Sequence, residues 1–139
     1  MKVFYTDGSA SPNPGPGGWT IIDANTKEPV LSGSAPDTTN IRMEGTALIN
    51  ALKLAGNEPV EIHTDSEFWI NVATKWAEGW EKNGWTKKNG EIKNLDIVQE
   101  LYELYKNSQA KLVWVRGHVG TELNEIADRE ANNARKNRL

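Results

Sequence analysis

Four carboxylates stand out by residue type and position. Asp7 follows a run of β-branched and aromatic residues, and Asp65 follows another. Glu44 lies in the opening turns of an amphipathic helical pattern, and Asp128 lies in the middle of the last such pattern, EIADREANNA. Taken singly, each has a plain explanation. Asp is favoured at turns and helix starts, a Glu near a helix N-terminus complements the macrodipole, and a lone mid-helix Asp is a solvated surface acid. Taken jointly they describe a site. If the strands before Asp7 and Asp65 are neighbours, the two acids sit side by side at one sheet edge. A helix packed there adds Glu44, and the last helix adds Asp128. Four converging carboxylates with no Lys or Arg partner repel strongly. Hard divalent cations relieve this, and oxygen-only ligands favour Mg²⁺, with Mn²⁺ as a substitute, over zinc. Two such ions close together are the arrangement used for phosphodiester cleavage.

A second group is aromatic and basic. Trp76 and Trp80 are four apart and share a helix face. As a bare pattern such a pair belongs to a core. Here Lys75, Lys82, Lys87 and Lys88 surround it, which suits a channel for a phosphate backbone. His118, between glycines, can move protons near neutral pH; the competing reading is a loop histidine without a role. His63 sits inside a strand pattern and reads as structural. The Pro- and Gly-rich stretch around Asn13 either lets backbone approach a ligand closely or simply joins two strands.

Composition limits what these groups can serve. The chain has 139 residues, 37% hydrophobic and 25% charged, with six Trp, three Tyr and two Phe, so it folds as one soluble domain of ordinary size. It has no Cys, which excludes disulfides, thiolate metal sites and cysteine nucleophiles. No run reaches the roughly 18–20 apolar residues that span a bilayer. The opening MKVFYTDGS turns polar too early for a secretory leader, so the expected compartment is the cytoplasm. The net charge of −3 argues against nucleic acid at first sight, but the distribution is uneven. Residues 1–74 carry four basic and nine acidic side chains, residues 75–93 carry five and three, and the last eleven residues are +3 before the terminal carboxylate.

The elements that must position these groups follow from pattern. KVFYT (2–6), WTIIDA (19–24) and PVLSGS (29–34) read as strands of an antiparallel meander, with 9–18 as a turn-forming stretch. Residues 38–56 form the clearest helix, N-capped by Thr39 or Asn40 and ended by Gly56. Its inward face is Ile41, Leu48, Ala51, Leu52 and Ala55. PVEIHT (59–64) alternates like a strand. A helix over about 66–76 follows, with Phe68, Ile70 and Val72 inward, then a short helix near 77–82 and a loop through 90. A helix over 95–107, a strand over 111–115 and a final helix over 122–135 complete the chain. This order implies an α/β fold with a mixed five-stranded sheet, an antiparallel meander plus parallel strands, flanked by helices. Ligands in such sheets sit at the carboxyl ends of strands, where Asp7 and Asp65 stand.

The same residues carry a resemblance. Asp7-Gly8-Ser9 with Asn13-Pro14-Gly15-Pro16-Gly17-Gly18 resembles the opening motif of the type 1 ribonuclease H family. Thr39-Asn40-x-Arg42-Met43-Glu44 resembles the second motif and Thr64-Asp65-Ser66 the third. Gly117-His118-x-Gly120 with Asn124-Glu125-x-Ala127-Asp128 resembles the fourth. The Trp-rich stretch at about 76–94, ending in Lys93-Asn94-x-Asp96, resembles the family's basic protrusion. The motifs come in the family's order over nearly the whole chain. The resemblance implies a single ribonuclease H-like domain, acting as a monomer with no obligate protein partner. It implies hydrolysis of the RNA strand of RNA–DNA hybrids to 3′-hydroxyl and 5′-phosphate ends, with two Mg²⁺ ions held by Asp7, Glu44, Asp65 and Asp128 and with His118 as a proton carrier. It implies that Asn13 and Asn40 touch the minor groove of the hybrid, and that Thr39 and Asn94 hold a phosphate. Trp76, Trp80, Lys82, Lys87 and Lys88 line the DNA channel on the same reading.

The chain departs from the family pattern at several points. Ile41 stands where a second Asn is frequent, Asp37 where a basic residue is frequent, and Glu67 where a neutral side chain is common. Gly45 interrupts the main helix at a cost of roughly 1 kcal/mol. Glu78, Glu81 and Glu91 dilute the basic segment. Three other readings fit parts of the pattern: a non-catalytic hybrid-binding module, a DNA nuclease of the same superfamily, and a metal-binding interaction domain. Retention of all four carboxylates weighs against the first, and the motif order with its Trp-bearing segment weighs against the second.

Overall fold

The computed structural model of the chain describes residues 1–87, 90–116 and 122–136. The first strand, β1, runs from Lys2 to Ala10, beyond the β-branched residues that nucleate it. Asp7 therefore lies inside the strand and not past its end. The partner strand explains the extension. β2 (Gly15–Asp23) pairs with β1 antiparallel over its whole length, with Asp7 opposite Thr20 and Ala10 opposite Gly17. The ladder thus carries Gly8, Ser9 and Ala10 in spite of their weak strand propensity, and the turn expected over 9–18 shrinks to 11–14. Small residues are required there, because a Cβ on Gly8 would come within 2.4 Å of the Met43 backbone. β3 (Glu28–Thr38) continues the meander and is four residues longer at its end than the 29–34 expected from pattern.

The main helix, α1 (Asn40–Ala55), starts where expected. The Thr39 hydroxyl caps it by accepting from the Arg42 N–H, and Gly56 ends it at φ 59°. Leu48, Ala51, Leu52 and Ala55 are buried, and Met43, Ala47 and Ile49 widen the inward face. Ile41 does not join it. It lies in the first turn, beyond the sheet, and is 39% exposed.

β4 (Val60–Thr64) shows the strict in-out alternation of a strand and pairs parallel with β1; β5 (Ala110–Trp114) pairs parallel with β4. The sheet order is β3-β2-β1-β4-β5. The expected helix over 66–76 is broken into α2 (Glu67–Asn71) and a π-helical stretch over Val72–Trp76, which runs on into α3 (Ala77–Lys82). Trp69 and Val72 are fully buried, whereas Phe68 and Ile70 are half-buried. α4 (Leu95–Lys106) buries Ile97, Val98 and Leu101 against this group, and the core gathers Phe4, Ile21, Leu48, Leu52, Ile62 and Trp69. Ile22, on the opposite face of the pleat from Ile21, is equally buried. α5 (Glu122–Lys136) packs on β1, β2 and β3 and buries Ala127 and Ala131.

Candidate active site

Parallel register places the two strand acids. Tyr5 pairs with His63 across β1 and β4, so Asp7, inside β1, and Asp65, just past the end of β4, lie side by side two residues beyond the last parallel pair. The Glu44 side chain comes from the second turn of α1, and Asp128 comes from the middle of α5. All four line one cavity of about 210 Å³, together with Gly8, Ser9 and Asn40. Among the described residues no Lys or Arg lines it. Glu44 is therefore a cavity residue and not merely a helix-start acid, and Asp128 faces the same space.

Burial, first of all, pushes the Asp7 carboxyl up to about 8, and the charges of Asp65, Asp128 and Glu44 push the same way. A hydrogen bond from the Gly8 N–H at 2.9 Å opposes them. Burial likewise pushes Glu44 up to about 8, helped by the Asp65 charge and by a hydrogen bond shared with Asp65. Without a cation, protons take over part of the neutralisation. One Asp65 oxygen, Oδ1, is buried and has no hydrogen-bond partner among the described residues. An unpartnered carboxylate oxygen in an all-oxygen cavity fits a hard divalent cation. Among the described residues no group of three or more His, Cys, Asp or Glu side chains is arranged to hold a metal ion.

Trp114 bears on this site and was not anticipated from sequence. Its indole N–H donates to the Asp65 carbonyl at 3.3 Å from the end of β5. Asn13 and Asn40 do meet at the rim. The Asn40 N–H donates to Asn13 Oδ1 at 3.1 Å, and Asn40 Oδ1 accepts from the Ala10 N–H at 2.6 Å. Both carboxamide oxygens are thus committed to the protein.

A second cavity, of about 610 Å³, lies beside the first turn of α1. Ile41, Phe68, Trp76, Trp80 and Ile92 give it apolar walls, and Lys75, Lys87, Lys93, Asn83 and Asn94 give it polar ones. The rings form a chain, Phe68–Trp76 at 5.9 Å and Trp76–Trp80 at 6.1 Å between centroids. Trp76 is 40% exposed, whereas Trp80 is half-buried and packs against the core, so the pair bridges core and surface. Lys82 does not line the cavity; it pairs with Glu78 one helical turn away at 3.1 Å. Lys93, Asn83, Phe68 and Ile92 belong to the cavity although sequence pattern did not assign them to it. His118 and Lys88 lie outside the described residues. His63 stacks on Tyr5 at 4.5 Å and meets Glu61 at 3.0 Å, away from the carboxylate cavity.

An acidic cavity where the parallel pairing of β1 and β4 ends, beside a groove of aromatic rings and lysines, is a setting suited to phosphodiester chemistry. Comparison with known proteins narrows it. A sequence profile for RNase H matches residues 1–136. The chain is 45% identical to a ribonuclease H of Orientia tsutsugamushi over 95% of its length and 80% of the relative's. It is 41% identical to one of Methylorubrum extorquens over 99% of its length, spanning 61% of that longer protein. Among solved structures, LC9-RNase H1, described as a type 1 RNase H with the type 2 active-site motif, superposes with a TM-score of 0.84 at 28% identity. That match covers 99% of this chain and 73% of the other. The PFV RNase H domain gives 0.78 at 27% identity, covering 97% and 94%. The chain belongs to the RNase H family, whose members are metal-dependent nucleases acting on RNA–DNA hybrids.

Proposed function

We propose that this chain is an endoribonuclease that hydrolyses the RNA strand of RNA–DNA hybrids to 3′-hydroxyl and 5′-phosphate ends, with Asp7, Glu44, Asp65 and Asp128 holding two Mg²⁺ ions. The observation that carries the reading is the cavity itself: four carboxylates and, among the described residues, no lining Lys or Arg and no partner for a buried Asp65 oxygen. Bound there, the ions supply a water of lowered pKa and charge neutralisation at the departing 3′-oxygen. The protein's own part is positioning. Asn13 and Asn40, with their oxygens tied down, present amide donors to the minor groove, where the RNA 2′-hydroxyls mark the strand to be cut. Trp76 and Trp80 offer ring faces to the DNA strand, Lys87 and its neighbours meet phosphates, and Thr39 and Asn94 hold one phosphate. His118 carries protons. One domain acts as a monomer in the cytoplasm on this reading; no helix of the described residues is long and apolar enough to cross a membrane.

The test is cleavage of an end-labelled hybrid with and without Mg²⁺, for the parent and for Asp7→Asn and Asp65→Asn. Cation-dependent cutting of the RNA strand alone, abolished in both variants, is the expected result. Near-normal activity in either variant overturns the site.

A further inference from the structure

Beside the aromatic cavity, three side chains are joined in a way that the site described so far does not use. Arg42, in the first turn of α1, donates from Nη1 to Asn94 Oδ1 at 3.2 Å and to Asp96 Oδ1 at 3.0 Å. Its Nη2 donates to Asp96 Oδ2 at 2.6 Å. Neither Arg42 nor Asp96 lines either cavity, but Asn94 lines the aromatic one. As an ion pair on the surface, with 35% and 66% of the two side chains exposed, Arg42–Asp96 adds little stability. Its geometric effect is larger. A guanidinium has only donors, so the atom of Asn94 that meets it must be the carbonyl oxygen. The amide nitrogen, with its two donors, is therefore turned away from Arg42.

The backbone supports the same conclusion. Asn94 stands at the N-cap position of α4 and is held in the left-handed region at φ 58° and ψ 36°, yet its side chain makes no cap hydrogen bond. Only its carbonyl serves the helix, accepting from Ile97 and Val98 N–H groups at 3.0 Å each. Asn is a favoured cap residue. Here the side chain gives up that role and is held by Arg42 instead. Asp96 matters because it occupies the guanidinium on both nitrogens. Without it, the guanidinium loses the fork that fixes where it meets Asn94.

We propose that Arg42 and Asp96 are positioning residues that hold the Asn94 amide as a two-donor face toward a backbone phosphate of the DNA strand. The inference rests on the reading of the aromatic cavity as the DNA channel. A phosphodiester offers only acceptor oxygens, and a fixed neutral amide meets them directionally without adding charge.

A double-mutant cycle tests this, with hybrid binding measured in Ca²⁺ to suppress cleavage and KM and kcat measured in Mg²⁺. Asn94→Ala is expected to weaken binding and raise KM roughly tenfold, the value of one hydrogen bond to a charged group, with kcat unchanged. Asp96→Ala is expected to raise KM similarly, again without touching kcat, and the double variant is expected to be no worse than Asn94→Ala alone. Among hybrids carrying one neutral methylphosphonate at successive DNA positions, one position is expected where the parent loses affinity and both variants lose clearly less. If Asn94→Ala binds like the parent, the hybrid does not reach Asn94 and the channel reading fails, whatever the fate of the metal site. If Asn94→Ala binds weakly but Asp96→Ala is neutral, or the two effects add, the channel stands and the positioning inference falls. Should Asp96→Ala lose its melting transition, Asp96→Glu, which keeps the charge but displaces the fork, takes its place in the same cycle.

Discussion

Asp7 and Glu44 are carboxyls whose pKa is raised to about 8, by burial first and by neighbouring acids second. A group of this kind binds more protons in the folded chain than in the unfolded one. The stability it contributes is fully present below the ordinary carboxylate pKa of about 4 and is lost as pH rises through about 8. Asp7→Asn removes an acid that must otherwise ionise against burial and repulsion. Scanning calorimetry in EDTA is therefore expected to show the variant melting a few degrees above the parent at pH 8.5, with the gap closing at pH 5. A variant that melts lower at pH 8.5 would mean that the Asp7 hydrogen bond with Gly8 outweighs the repulsion. Cations compete with the same protons, so Mg²⁺ affinity is expected to rise with pH up to about 8. Titration calorimetry at pH 7 in two buffers of different ionisation enthalpy reads the protons released. Identical heats in both buffers would count against these two carboxyls as ligands.

At the scale of elements, the site depends on how closely α1 lies on β1 and on Trp69. Gly45 gives up about 1 kcal/mol of helix propensity, and the structure shows why. A Cβ there would come within 2.7 Å of Ile97 Cγ2 and 2.8 Å of Trp69 Cε2. Trp69 is fully buried, and its indole N–H donates to the Ile41 carbonyl at 2.7 Å, so the ring has little room to yield. Overpacking of this kind costs about 1–3 kcal/mol, more than the propensity regained. Gly45→Ala is expected to lower the urea midpoint by an amount equivalent to about 1 kcal/mol; a raised midpoint would show that α1 can shift. The same close packing explains which elements were legible. β4 alternates cleanly, and its pattern placed Asp65 correctly. The end of β1 did not show, because Gly8 is small for its fit under α1 and Gly8, Ser9 and Ala10 have weak strand propensity. The π-helical stretch was invisible too: a five-residue change of helical period leaves no mark in a pattern this short.

For the whole molecule, the relevant quantity is where charge sits. A net charge of −3 hides a cavity of four acids and, in the aromatic cavity, a group of three lysines. Sequence pattern found the basic segment with Lys75 and Lys87, but it also assigned Lys82 and left out Lys93. Lys82 points to Glu78, with 72% of its side chain exposed, while Lys93, well separated from it in sequence, joins Lys75 and Lys87 at the cavity. If the DNA strand runs there, each lysine that meets a phosphate adds about 0.9 to the salt slope of binding, by the duplex value. Replacing Lys75, Lys87 and Lys93 together is expected to lower that slope by up to about 2–3 units, while Lys82→Ala leaves it nearly unchanged. The rate at saturating hybrid is expected to hold in the triple variant, because no carboxylate is altered. Trp80→Ala is expected to weaken binding with little change of slope, since it removes a stacking face and not a charge. The measurement is a salt titration of hybrid affinity in Ca²⁺ for the parent and these variants. A slope that falls for Lys82→Ala and not for the triple variant would move the DNA strand out of the aromatic cavity and onto the outer face of α3.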